Sequence, residues 1–87
     1  MKAIKLSEKE RKGLTIGIKK IIGQLQSISF VIEEDKITDQ TFTQLLAVKG
    51  GTSKICKEII AKGVLTQISK YSTEELEQAL NIIFKLD

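Results

Sequence analysis

A chain of 87 residues makes one domain with a modest core, and chains this short are often marginal unless they associate. With 41% apolar residues, 29% charged residues and a net charge of +3, the composition is globular and excludes a disordered or fibrous chain. Proline, tryptophan and histidine are absent and Cys56 is the sole cysteine, which excludes an internal disulfide and points to a reducing cytoplasm; no apolar run reaches the roughly 18 residues needed to span a membrane, and the start lacks the apolar block of a signal peptide.

The first element opens at Ser7, which with Glu10 forms a capping box, each side chain satisfying an orphan amide at the helix start. From there Leu14, Ile18, Ile21, Leu25, Ile28 and Ile32 are spaced 4, 3, 4, 3, 4. That is a heptad seam, suited to a neighbouring helix lying almost parallel or antiparallel. Lys12, Lys19, Gln26 and Glu33 run along the opposite, polar line. The helix is expected to reach about Glu34.

The turn "DKITD" follows, with Thr38 or Asp39 as the cap of a second helix. Phe42, Leu45, Leu46, Val48, Ile55, Cys56, Ile59 and Ile60 keep a helical period across Gly50-Gly51. Each glycine costs about 1 kcal/mol against alanine in a helix. The pair marks either a break or a close helix crossing. Because the apolar period resumes in phase, one long helix to about Ile68 is predicted. Ser72 and Glu75 form a second capping box, and Leu76, Ala79, Leu80, Ile83 and Leu86 give a short amphipathic third helix.

The fold class is therefore all-α: two long helices in an antiparallel hairpin and a short C-terminal one, within a single domain, 1–87. A hairpin about 40 Å long cannot cover both seams together with Ile16, Ile22, Phe30 and Val31. Association into a helical bundle, as a dimer or a tetramer, is the natural solution.

Charge is segregated. Residues 1–20 hold seven bases against two acids, and residues 40–70 five lysines against Glu58. "EEDKITD" and residues 71–87 are acidic. Basic segments that converge in space suit nucleic acid, although a solvated lysine face would look the same. Glu33, Glu34 and Asp35 are best read as a solvated helix end; joined by Asp39 they would make only a weak magnesium or calcium site. Cys56 is in phase with Ile55, Ile59 and Ile60, so it reads as a core residue, since free cysteine packs as a small hydrophobe. Lys54 and Lys57 nearby keep a thiol redox sensor as the alternative. With no imidazole to partner Cys56, an enzyme is not expected.

The stretches "KKIIGQLQSISFVIEED" and "FTQLLAVKGGTSKICKEII" resemble the small all-helical repressors of the CsoR/RcnR/FrmR family, over about residues 7–86. Lys19 to Gln24 match its R-R-I-x-G-Q stretch, Glu33-Glu34-Asp35 its acidic turn, and Gln44 to Gly50 its Q-x-x-A-V-(R/K)-(G/A) stretch. The resemblance implies three-helix chains that form dimers and usually tetramers, a continuous second helix with small residues at a close contact, and repression of transcription by binding operator DNA through basic faces. Inducers, whether metal, sulfur species or formaldehyde, weaken that binding.

By the same resemblance the sensing positions are Thr38, where the family has cysteine, Gly63, usually histidine, and Gln67, histidine or cysteine. None suits a soft or borderline metal, and the nucleophile for formaldehyde or persulfide is missing too. No metal and no cofactor are expected. The residues left for double-stranded DNA are Lys9, Arg11, Lys12, Lys19, Lys20, Lys49 and Lys54, with Lys54 at a position where the family has an arginine important for DNA binding. Gly17 replaces the first arginine of the R-x-R-R pattern. Lysine neutralises phosphate but lacks the bidentate fork that reads guanine. The expected function is a cytoplasmic repressor with a degenerate sensing site; the alternatives are a helical oligomerisation module that modulates a partner regulator, and redox sensing through Cys56.

Overall fold

A computed structural model describes residues 3–86. The chain runs α1 (Glu8–Glu33), α2 (Asp39–Gly63), a 3-10 helix (Leu65–Lys70) and α3 (Thr73–Lys85). Both predicted capping boxes are present. The Glu10 amide donates to Ser7 Oγ at 3.1 Å and the Ser7 amide to Glu10 Oε1 at 2.9 Å. Ser72 and Glu75 repeat the arrangement at 3.2 and 2.9 Å. The hydrogen bond from the Ser7 backbone amide, and secondarily the one with its side chain, hold the Glu10 carboxyl below its ordinary value of 4.5.

Helix α1 ends in a Schellman motif. The Lys36 amide donates to Val31 O at 2.9 Å and the Asp35 amide to Ile32 O at 3.2 Å. This geometry needs a left-handed residue at Asp35, whose φ is 54°. Glycine takes that conformation freely, whereas a residue with a Cβ is strained there. At the start of α2 the buried Thr41 hydroxyl accepts from the Thr38 amide at 3.1 Å.

Helix α2 passes through Gly50-Gly51 without a break, as the period predicts, but it stops at Gly63 rather than near Ile68. Val64 turns fully into the interior, at 0% exposure. The last carbonyls of the helix find side-chain donors instead of amides one turn on: Thr66 Oγ1 donates to Lys62 O at 2.6 Å, and Tyr71 OH to Gly63 O at 3.2 Å. These bonds compete with further helix, and the chain tightens into 3-10 geometry with a kink at Gln67.

Helices α1 and α2 pack antiparallel. Ile55 Cδ1 lies 3.5 Å from where a Cβ on Gly17 would stand, and Ile21 Cδ1 lies 3.5 Å from the equivalent point on Gly51. Gly50 has open space beside it, so only one glycine of the pair serves the contact. Leu14 and Ile28 are buried on α1. A second cluster, Ile60, Val64 and Ala79, lies at the far end of α2, where Ile4, Tyr71, Leu76 and Ile83 pack around it.

The molecule measures 51 × 27 × 16 Å, with a radius of gyration of 16.2 Å, against about 12 Å for a compact chain of this length. Its surface of 6627 Å² exceeds by about 1,500 Å² what a compact monomer of its mass exposes. The excess is apolar: Ile16, Leu46 and Phe84 are 68%, 67% and 72% exposed, and Ile18, Leu25 and Ile32 of the predicted seam are exposed too.

Asp35→Gly is expected to stabilise the fold by about 0.5 kcal/mol, read as a rise in the urea midpoint at unchanged slope. Glu10 is depressed in the folded state, so its contribution is full above its ordinary value of 4.5 and is lost as the pH falls through its lower folded value. The wild-type advantage over Glu10→Gln in thermal midpoint should therefore be present at neutral pH and vanish in acid.

Candidate nucleic-acid interface and sensing positions

The α1–α2 register decides which cations share a surface. Lys20 of α1 and Lys54 of α2 line the same groove, about 320 Å³ in volume, floored by Gly17, Gly51 and Ile55. A second hollow adjoins it through Gln24 and Ala47, and adds Ser27 and Gln44. The two stretches that carried the family resemblance thus face each other across one groove. Their lysines and amides lie at its edges, and small residues lie where the helices come close. Glu58 is the acid at this groove, and it pairs with Lys62 at 4.0 Å.

Arg11, Lys12 and Lys19 lie together on another face of α1, around Thr15 and Ile16. Lys9 stands next to Lys12 and Glu8. Lys12 makes an exposed pair with Glu8 at 3.4 Å, of the kind worth only a few tenths of a kcal/mol. Lys19 and Lys20 are consecutive and so point to different faces of α1, Lys19 with the outer line and Lys20 into the groove. From Lys9 to Lys20 the helix rises about 17 Å, roughly the axial rise of five base pairs. Lys49 is exposed but lines neither hollow of the groove.

Thr38, Gly63 and Gln67, the positions that the resemblance assigns to sensing, do not meet within one chain. Thr38 caps the start of α2 and Gly63 is its last residue, about 37 Å away at 1.5 Å per residue. Only two chains could bring them together. Gly63 and Gln67 do lie together, and residues 3–7 cover them. Gly63 is buried; a methyl group added there would overlap the Ile4 side chain and come within 3.1 Å of Leu6 Cδ2. Gln67 Nε2 donates to Lys5 O at 3.3 Å. Sequence reasoning missed this cover; its one signal is the alternation of Ile4 and Leu6 just before the Ser7 cap.

Among the described residues no three of cysteine, aspartate and glutamate are grouped to hold a metal ion, and Glu33, Glu34, Asp35 and Asp39 form no such cluster. Cys56 is half-buried, so the fold of one chain covers it only in part. No helix among the described residues is long and apolar enough to cross a membrane.

The family model of the metal-sensitive transcriptional repressors matches residues 10–85. No curated protein and no solved structure matches the chain. The chain belongs to the metal-sensitive transcriptional repressor family.

A metal held at 100 times its dissociation constant would add about 2.7 kcal/mol to the fold. Nickel or zinc is expected to give no such gain here, and EDTA no loss, in thermal melts of the purified protein.

Proposed function

We propose that this member of the metal-sensitive transcriptional repressor family is a cytoplasmic DNA-binding repressor, and not a catalyst, that works as a symmetric helical oligomer without the family's metal chemistry. The observation that carries the reading is the meeting of Lys20 and Lys54 in one groove, with a second basic group, Arg11, Lys12 and Lys19, on another face of α1. An array of exposed lysines on rigid helices neutralises phosphate. It offers one arginine, Arg11, for the bidentate recognition that guanine requires, so backbone contacts and DNA shape would carry most of the affinity.

The apolar faces support an assembly larger than the monomer. The surface excess of about 1,500 Å² on one chain is nearly twice the roughly 800 Å² that each partner contributes to a standard interface. An antiparallel pair could also bring Thr38 of one chain to Gly63 and Gln67 of another. With threonine, glycine and glutamine there, such a site offers no thiolate or imidazole.

A second reading is favoured by the same exposed apolar surface: a helical module that joins mixed assemblies with a partner regulator. DNA binding separates the two. On duplex from the chain's own upstream region, a repressor prefers native to scrambled sequence as salt is raised, whereas a module shows equal or no binding.

Lys20→Ala and Lys54→Ala should each weaken duplex binding across sequences, without changing the oligomeric state. Each should also reduce the slope of log K against log salt by about 1, since one phosphate fewer is neutralised. Fluorescence anisotropy over a salt series reads both effects. Wild-type slopes in both variants would take these lysines out of the interface.

A further inference from the structure

We propose that residues 3–7 are an intramolecular strap that fills the family's sensing position in this chain, and that opening of the strap is the event that alters the DNA-binding surface; this rests on the repressor reading above. Three observations converge on the strap. Gly63 is buried beneath it, and even a methyl group at that position would collide with Ile4. The helix at Gly63 has no positive φ, so glycine is needed there for room and not for backbone freedom. The Gln67 side chain, at the neighbouring sensing position, is bonded to the strap's own backbone through Lys5 O at 3.3 Å. Where the family presents ligands to an inducer, this chain presents a gap and an amide, and both are engaged by its own N-terminal segment.

The strap is also placed to transmit. Ile4 packs on the cluster of Ile60, Val64 and Ala79 that joins α2 to α3, beside Tyr71. Three residues on, the strap enters the Ser7 capping box, and Lys9, Arg11 and Lys12 follow within the first turn and a half of α1. A closed strap therefore ties the end of α2 to the start of the cationic line on α1. Its hold on the end of α2 is two half-buried side chains, Ile4 and Leu6, and one exposed hydrogen bond, and segments with so few buried contacts open locally far more readily than the whole fold. Ile4 has little rotamer freedom with which to evade a side chain at 63, so a single methyl group is enough to shift the balance.

Trypsin cleavage after Lys5, followed by mass spectrometry, measures opening without DNA. Gly63→Ala should raise that rate about tenfold and make Tyr71, the only tyrosine, more accessible to acrylamide quenching. The double variant Ile4→Ala, Gly63→Ala, in which the added methyl meets a smaller side chain, should return both readings towards wild type. A wild-type cleavage rate in Gly63→Ala, or a double variant no better than the single, overturns the strap. Duplex affinity forms the second arm. Gly63→Ala should shift it about threefold, with Lys20 and Lys54 intact, and the double variant should restore it. Opening that leaves affinity unchanged overturns the switch. If the unaltered chain binds no duplex, the repressor reading fails, and cleavage and quenching alone decide the strap.

Discussion

The structure depends on a reciprocal fit between two glycines and two isoleucines. Gly17 of α1 receives Ile55, and Gly51 of α2 receives Ile21. A Cβ on either glycine would meet its isoleucine at ordinary contact distance, so the two pairs mark the register and the closest packing of the hairpin without excluding alanine. A slip of one turn would set Ile21 against Ile55 in one direction, an overpacking, and Gly17 against Gly51 in the other, a gap, and close-packed interiors resist both. Given this register, Lys20 falls beside Lys54, and Gln24 lies near Gln44 and Ala47. The cationic groove follows from a packing constraint and needs no attraction between its own charges.

The hairpin achieves this at the expense of its own core. A layer 16 Å thick is little more than one helix deep, and a single layer leaves half of every apolar stripe uncovered. Leu14 and Ile28 are buried while Ile18, Leu25 and Ile32 of the same seam are exposed. The exposed positions are large and contiguous in sequence pattern, which distinguishes them from the isolated surface hydrophobes common to soluble proteins.

The far end of α2 obeys a different logic. By the family resemblance this end would hold sensing donors, and this chain has a glycine and a glutamine. The glycine is not an empty space: Ile4 and Leu6 lie against it, and Gln67 is bound to the Lys5 carbonyl. The premature stop of α2 belongs to the same local structure. Val64 turns inward, and Thr66 and Tyr71 cap the last carbonyls.

Much of this was legible in the chain itself. The heptad spacing, both capping boxes, the acidic turn and the order of helices are local patterns, in which neighbours in sequence are neighbours in space, so period and cap chemistry suffice to read them. Tertiary structure alone decided the rest. At the end of α2 a tyrosine eight residues on takes the Gly63 carbonyl and an isoleucine 59 residues earlier fills the space beside the glycine, and no local window along the chain contains both. Which glycine of the pair is at the contact, which lysines share a groove and how far Cys56 is covered all depend on the rotation of one helix against another. That rotation is set by the meeting of side chains distant in sequence, and a one-dimensional pattern holds no record of it.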